Sequence, residues 1–356
     1  MAVPYTSLVS STIKKYKKGF VDQIIADNFL LAAMIGKNLA PEIFKREMRE
    51  GDDEFADGLK FENGGEKIFF PVMYAKNATV AGYTGYDLLD LTHAERFTAA
   101  EYSWASIAGS VNLDKETIDK NYGDDVKLFD YTKGQLDNLK ASMQEFVNNS
   151  LWDSKASTTK LTIGLLDMVK ETPATDPTYG NIGGISANQN AWWKNQHTDH
   201  ASAAFGTDPT GSGQTNLRTL LRACQFGQEH AHVICAGEIA YDRLERSMVN
   251  QIRYQGKSEQ KLAQAGFEAF QFKGIPVVLE KYIDTARTAA SLTGSGFYAL
   301  NFNFLKLHAM KHKFFEFSDV KEPTNQDTMV IHNIARMQLC TNGRRYQGVM
   351  GGVIAS

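Results

Sequence analysis

Three side chains in the second half of the chain have the spacing of a metal site. His230, His232 and Cys235 form a His-x-His-x-x-Cys pattern, and imidazole nitrogen and thiolate sulfur are good ligands for zinc. A structural zinc site needs four ligands, and no second pair of cysteines or histidines lies nearby in the sequence. His232 would also lie on the face of a strand opposite to Cys235. A metal-dependent enzyme therefore stands third among the functional hypotheses.

Other motifs that could carry chemistry are incomplete. Gly206 and Gly211 have the spacing of a phosphate-binding loop, but Ser212 stands where that loop has its lysine. His308 and His312 are four residues apart with no carboxylate between them, and we expect both at the surface. The sequence contains no Gly-x-Ser-x-Gly elbow, no His-Glu-x-x-His motif and no dinucleotide fingerprint. We therefore predict no catalytic, cofactor-binding or metal-binding residues, and no enzyme activity.

The segments around these motifs describe an α/β unit. Residues 231–248, AHVICAGEIAYDRLERSM, read as a strand, a loop and a helix. Residues 267–283 predict a hairpin in which Lys273 and Gly274 form a two-residue turn. Pro276 lacks a backbone donor, so the returning strand should start at or near a sheet edge.

A long ribbon is predicted earlier in the chain. Residues 66–74 and 97–111 are rich in strand-forming residues, and the glycine- and tyrosine-containing segment 75–91 between them has no helical period. Pro71 fits only an edge strand. Because an isolated two-stranded ribbon is marginally stable in water, this hairpin must be held by its own domain or by a neighbouring molecule.

Helices and further strands complete the pattern. Residues 124–153 predict a long amphipathic helix with Phe146 on its apolar face and Gln144 and Asn148 on its polar face. A second helix is expected from Asn216, as its cap, to about His230. The pair Trp192 and Trp193 should be buried, and strands are expected within 296–317 and 329–340.

Composition excludes several classes of protein. The chain has 356 residues, is 43% hydrophobic and carries a formal net charge of −3, so no overall positive field favours nucleic acid. No apolar run is long enough to cross a bilayer, and three cysteines are too few for a disulfide framework. We expect a soluble product that does not bind membranes. Lys14, Lys15, Lys17 and Lys18 form a local basic cluster, which is either a candidate DNA-facing arm or a solvated start to a helix.

In order, the chain offers an arm, a ribbon, a long helix, a glycine-rich crossover, an α/β unit and a return to strands. This order resembles the Hong Kong 97 type fold of tailed-bacteriophage major capsid proteins. The local similarity is best at AHVICAGEIAYDRL and FKGIPVVLEKY, and the closing NQDTMVIHNIARMQLCTNGRRYQGV is also similar to the ends of members of that family. The resemblance implies an α+β fold.

The resemblance also implies a division of the chain. Residues 1–50 would form the N-terminal arm, and residues 51–111 the extended loop with its flanking strands. The peripheral domain would comprise 112–180 and 323–356, with the spine helix at 124–153. The axial domain would comprise 181–322.

By the same resemblance, the chain would assemble with itself into pentamers and hexamers of an icosahedral head around double-stranded DNA. The ribbon would lie across an adjacent subunit, so that Lys76, Asn77, Tyr83 and Tyr86 are candidate inter-subunit contacts. We expect no crosslink at Lys76 and Asn77. Expected partners are a separate scaffolding protein, a portal, a decoration protein and weakly bound DNA. The location would be the virion, after assembly in the host cytoplasm. An encapsulin-like compartment of the same fold is the alternative.

Overall fold

The computed structural model describes residues 30–31, 34, 58–88, 90–116, 125–155, 160–177, 180–200, 213–248 and 269–354. Within these ranges the protein is a mixture of strands and helices, so the predicted α+β class is confirmed. The strands form one five-stranded sheet, one six-stranded sheet and one two-stranded ribbon.

The five-stranded sheet is built around one long strand near the end of the chain. It contains β1 (Leu59–Glu62), β4 (Ala105–Asp114), β10 (Leu305–Met310), β11 (Glu316–Phe317) and β12 (Thr328–Thr341). β12 pairs antiparallel with β10, β11 and β4, and β1 pairs parallel with β10. Buried and more exposed side chains alternate along β12 as far as Met337, as the period of two requires, and the residues from Met337 to Thr341 are all buried. The strand predicted over 329–340 is thus confirmed as a single element.

The six-stranded sheet contains the α/β unit that the sequence predicts. Its order is β5 (Gln196–Asp199), β13 (Gly348–Val353), β9 (Ser295–Leu300), β6 (Val233–Ala236), β8 (Ile275–Leu279) and β7 (Ala269–Phe272). The central strand β6 is buried along its whole length, which explains its continuous apolar sequence. β7 and β8 form the predicted hairpin. Lys273 and Gly274 have φ values of 54° and 78°, as a two-residue turn of type I′ requires.

Five α-helices surround these sheets in the described residues. They are α1 (Asp125–Trp152), α2 (Leu165–Met168), α3 (Gly213–Cys224), α4 (Glu238–Met248) and α5 (Tyr282–Ala289). α3 begins before Asn216, which lies inside the helix and donates a hydrogen bond toward His200, so its predicted role as the cap is wrong. The helix also ends at Cys224, well short of the expected His230.

The long helix α1 packs on β4 and on the helices α2 and α5. Gly109 of β4 allows a close approach, because a Cβ atom there would lie 2.6 Å from Leu139 Cδ1. Two predictions for α1 are wrong: Gln144 and Asn148 are buried, and Phe146 is 47% exposed. The buried Asn148 forms a hydrogen bond with Glu280, which opposes the rise in the pKa of that carboxyl caused by burial.

Each large sheet contains strands from before and after residue 322, the predicted end of the axial domain. β10 and β11 pair with β12, whereas β13 returns to pair with β9 and β5. The two sheets share one large core cluster, and α3 and α4 pack on a second cluster against the six-stranded sheet. The chain therefore passes between the two sheets more than once.

Candidate subunit interface on the extended hairpin

The two-stranded ribbon is the predicted hairpin. β2 (Lys67–Met73) and β3 (Phe97–Ser103) pair antiparallel, from Lys67 opposite Ser103 to Met73 opposite Phe97. Lys67 Nζ lies 2.8 Å from Glu101 Oε2 across the ribbon. β2 pairs with no other strand of the described structure, which fits the prediction that Pro71 lies on an edge strand.

One face of the ribbon is anchored on the rest of the chain. Ile68, Val72, Ala100 and Tyr102 are buried and alternate with exposed residues. The Tyr102 hydroxyl donates a 2.6 Å hydrogen bond to the Thr341 carbonyl oxygen and accepts one from the Thr341 amide. Burial raises the pKa of the Tyr102 hydroxyl well above its usual range, so it remains a donor. The base of the hairpin is thus held by its own chain.

The tryptophan pair, predicted to be buried, packs near the end of the ribbon from which the tip projects. Trp193 is buried, and its indole Nε1 donates to the Ile182 carbonyl oxygen at 3.0 Å. Trp192 is partly buried and stacks on Tyr74, with ring centroids 5.3 Å apart. The Tyr74 hydroxyl in turn donates to the Glu95 carbonyl oxygen at 2.9 Å. These contacts fix the neck of the hairpin, where the strands end and the tip begins.

Beyond Tyr74 the hairpin continues as an irregular tip, which we define as residues 75–96. It is held by hydrogen bonds within the tip, some between near neighbours and one between its two ends. Asn77 Oδ1 accepts from the Thr79 amide and from Arg96 Nη2, and Asp90 Oδ1 accepts from the Thr92 amide. Asp and Asn side chains commonly stabilise turns in this way. The tip therefore has a defined turn structure although it has no strand pairing.

The tip exposes large apolar side chains. Tyr86 and Leu88 are fully exposed, and Leu91 is 90% exposed. Burying such a side chain contributes roughly 1.5–3 kcal/mol, and monomeric proteins rarely expose several together. The exposed set extends down the outer face of the ribbon. Its other members are Phe69, Met73, Val80, Tyr83 and Phe97. This surface has the character of an interface for another molecule.

The candidate contact residues are brought together on this surface. Lys76, Asn77, Tyr83 and Tyr86 are all exposed on the tip. The sequence reasoning did not single out Leu88 and Leu91, although an apolar pair in a glycine-dotted segment without a period was a usable signal. The lysines at positions 14, 15, 17 and 18 lie outside the described residues.

The proposed metal ligands do not form a site. Cys235 is fully buried in the central strand, and burial raises the pKa of its thiol far above the ordinary value. His232 Nδ1 accepts a hydrogen bond from the Phe302 amide, and its ring meets His230 edge to face. Within the ranges that the structure describes, no group of three or more His, Cys, Asp or Glu residues could hold a metal ion. Gly206 and Gly211 lie outside those ranges.

The surface position predicted for His308 is wrong. His308 lies on β10 and is completely buried, whereas His312 is exposed as expected. The parallel pairing of β1 with β10 brings Glu62 to His308, so that Nδ1 lies 3.2 Å from the carboxylate. Burial lowers the pKa of His308 to about 4, with Lys60 and Lys306 adding to the decrease and Glu62 opposing it. His308 is therefore neutral at pH 7.

No helix among the described residues combines the length and apolar character needed to span a bilayer.

No protein-family model matches the sequence, and no curated protein sequence matches it. Solved structures do match the fold. The capsid of cyanophage A-1(L) is 15% identical and has a TM-score of 0.55, with 81% of this chain and 88% of that chain covered.

Two other neighbours have similar coverage. The capsid of Myoviridae phage XM1 is 10% identical with a TM-score of 0.51, covering 83% of this chain and 90% of that chain. The holo-SrpI encapsulin complex from Synechococcus elongatus PCC 7942 is 12% identical with a TM-score of 0.50, covering 83% and 84%. At these identities the similarity establishes the fold. The chain has the Hong Kong 97 type fold, as the sequence resemblance predicted.

Proposed function

We propose that the chain is a major capsid protein that assembles into pentamers and hexamers of an icosahedral phage head enclosing double-stranded DNA. The observation that carries the proposal is a hairpin anchored at its base on its own chain, with a tip whose large apolar side chains are exposed in the part of the subunit that the structure describes. Repeated symmetric contacts would bury that surface in every copy. The shared fold with two phage capsids supports the same conclusion.

This proposal gives the hairpin residues a role. Lys76, Asn77, Tyr83 and Tyr86 would contact the adjacent subunit, with Leu88 and Leu91 between them. Asn77 is already bonded to Thr79 and Arg96, which supports a structural role in the tip and agrees with the expectation of no crosslink at Lys76 and Asn77. The protein would act as a wall without catalytic chemistry and would reside in the virion.

We also propose a division into domains that follows the pairing of the strands. The five-stranded sheet and α1 would form the peripheral domain, which then takes in β10 and β11 from the predicted axial range. The six-stranded sheet would form the axial domain, which takes in β13 from the predicted peripheral range. Residues 1–50 would remain the arm.

Electron microscopy of the purified protein tests the proposal. We expect closed icosahedral particles when the chain is expressed with the scaffolding protein of its phage, and a portal and decoration protein in mature heads. A homogeneous monomer under all these conditions would contradict the proposal. For DNA we propose weak contact from Lys14, Lys15, Lys17 and Lys18 only. Deleting residues 1–18 without any change in assembly or packaging would remove that role.

The alternative is an encapsulin-like compartment, which the similarity to the SrpI encapsulin favours. The two functions differ in what the shell contains. Mass spectrometry and nucleic-acid staining of particles isolated from the native source would separate them: packaged double-stranded DNA indicates a phage head, whereas a stoichiometric cargo protein without DNA indicates a compartment.

A further inference from the structure

Two Asn–Gly pairs in the chain have the residue types that favour attack of the backbone on a side chain. They are Asn63–Gly64 and Asn342–Gly343. Asparagine is a thermolabile residue, and a following glycine has no Cβ atom to hinder the approach of its nitrogen to the asparagine side chain. The freedom of the backbone then decides which pair reacts, and the structure restrains the two pairs to different degrees.

The first pair is unrestrained. Asn63 and Gly64 are exposed in the connection between β1 and β2, where the chain passes from the five-stranded sheet to the ribbon. The Gly64 amide donates no backbone hydrogen bond to any residue that the structure describes. Its φ is 154°, which glycine adopts readily, and the space that a Cβ atom would take is open. The Gly64 nitrogen can therefore approach the Asn63 side chain.

The second pair is held in place. The Asn342 amide donates to the Phe304 carbonyl oxygen at 3.2 Å, and the Gly343 amide donates to Thr341 Oγ1 at 3.2 Å. A Cβ atom on Gly343 would lie 2.8 Å from Tyr346 Cδ2 and 3.0 Å from Phe304 Cδ1, so the backbone is closely packed there. Attack by the Gly343 nitrogen requires this hydrogen bond to break. Asn342 is thus an internal control with the same chemistry.

The reaction at Asn63 needs only water. The Gly64 nitrogen loses its proton and forms a bond to Cγ of Asn63, and the side-chain nitrogen leaves as ammonia. The succinimide ring that results takes up one water molecule. Opening at one carbonyl leaves an aspartate, and opening at the other leaves an isoaspartate, in which the main chain runs through the side-chain carbon.

We propose that Asn63 is a site of spontaneous deamidation, which places a new carboxylate and, as isoaspartate, one additional backbone methylene in the segment that joins the hairpin to the body. The inference goes beyond the proposed shell function and does not depend on it. It concerns a chemical change that each subunit undergoes with age.

The modified segment is anchored on both sides. Before it, Glu62 of β1 contacts Lys60 and His308. After it, the Gly65 carbonyl oxygen accepts a 2.9 Å hydrogen bond from Trp104 Nε1. The longer backbone has to fit between these two anchors, so the modification changes the join between the sheet and the ribbon.

Timed incubation of the purified wild-type subunit at mildly alkaline pH tests the proposal. Trypsin releases the two sites in separate peptides, FENGGEK and MQLCTNGR, and mass spectrometry measures the deamidated fraction of each. We expect this fraction to rise about tenfold faster at Asn63 than at Asn342, because the Gly343 amide must first give up its hydrogen bond. Labelling of the first peptide by an isoaspartate methyltransferase identifies the isoaspartate.

The same incubation in urea removes the restraint on the second pair. The two sites should then react at similar rates. Equal rates in the folded subunit, or a faster rate at Asn342, would overturn the proposal. A tenfold difference that persists in urea would also overturn it, because the difference would then come from the local sequence and not from the fold.

The variant Asn63→Gln tests the effect on the join. Glutamine keeps the exposed amide, but its longer side chain would have to close a six-membered ring, which forms more slowly. Aged wild type should melt at a lower temperature than fresh wild type, whereas aged and fresh Asn63→Gln should melt alike. Equal losses in wild type and variant would show that deamidation at Asn63 does not alter the join, which contradicts that part of the inference.

Discussion

The hydroxyl of Tyr102 and the backbone of Thr341 exchange two hydrogen bonds, of 2.6 Å and 3.3 Å, although the residues are 239 positions apart. These bonds join β3 to the end of β12, and with it the base of the hairpin to the five-stranded sheet. Both residues are buried, so the bonds are shielded from water. The direction in which the hairpin projects thus depends on a contact far from its tip.

Removing this hydroxyl should destabilise the subunit. Tyr102→Phe leaves the buried Thr341 amide and carbonyl without their partner, which we expect to lower the free energy of unfolding by about 1–3 kcal/mol. Urea denaturation of the unassembled subunit measures the change. Tyr74→Phe is the control, because its hydroxyl bond to Glu95 is exposed and should contribute much less. Equal losses for both variants would contradict the proposed anchoring.

Alanine substitutions at two adjacent glycines distinguish the effect of packing on stability from the effect of backbone strain. Gly183 and Gly184 both have positive φ, so alanine strains the backbone at either site by about 1–2 kcal/mol. Only at Gly183 would the new Cβ lie 3.0 Å from Ala100 Cβ and 3.2 Å from the Tyr102 hydroxyl. We expect Gly183→Ala to lower the melting temperature of the subunit more than Gly184→Ala. A larger effect at Gly184 would mean that the ribbon does not pack there.

The tip should matter for assembly and not for folding. Leu88→Ser replaces a fully exposed side chain, so the free energy of unfolding of the subunit should change by less than about 0.5 kcal/mol. Particle yield, measured by sedimentation and electron microscopy, should fall sharply because the apolar contact with a neighbour is lost. Val72→Ser is the opposite control, since Val72 is buried on the anchored face of the ribbon and its replacement should impair folding itself. Wild-type particle yield from Leu88→Ser would argue against the tip as an interface.

The buried His308 should make stability depend on pH. Its pKa is lowered to about 4 in the folded protein, against 6.5 as the ordinary value. Between these values the unfolded chain binds the proton and the folded chain does not, so stability falls as the pH falls from about 6.5 to 4 and the effect is complete below that. The loss attributable to this residue is on the order of 3 kcal/mol. Denaturation of wild type and His308→Gln across this range should show a smaller loss in the variant; parallel curves would contradict the assignment.

Two ion pairs formed by arginines should differ in how much they contribute to the stability of the subunit. Arg287 is fully buried and contacts Glu171, Tyr298 and the carbonyl oxygens of Thr293 and Gly294. Removing one partner of a buried pair costs about 3–5 kcal/mol, so Arg287→Met should strongly destabilise the subunit. Arg246→Met breaks the exposed pair with Asp242 and should cost less than about 1 kcal/mol. Thermal denaturation of both variants compares them, and similar melting temperatures would refute the distinction.

Local features of the fold were readable from the sequence. The turn at Lys273 and Gly274 follows from the residue types at a two-residue hairpin, and α1 follows from its helical period, because both depend on residues close in the chain. The exposed candidates Tyr83 and Tyr86 also lie where the ribbon pattern placed them. Turn chemistry and periodicity are sufficient for such elements.

Contacts between residues far apart in the chain could not be predicted from the sequence. The burial of His308 depends on the parallel pairing of β1 with β10, and its partner Glu62 lies 246 residues away. Asn148 of α1 forms a hydrogen bond with Glu280, which lies between β8 and α5. Spacing along the chain carries no signal for which distant strands will pair.

The place of β12 in the chain has a consequence for the order of folding. β12 supplies the partner for β4 and β10 and the Thr341 backbone that Tyr102 requires. A ribosome adds roughly 5–20 residues per second, so the hairpin emerges on the order of ten seconds before the strand that fixes its base. Until β12 has been made, the Tyr102 hydroxyl therefore lacks its Thr341 partner, and the base of the hairpin lacks this anchor. The hydrogen bonds that join the hairpin to the five-stranded sheet form late in synthesis, after most of the chain has emerged.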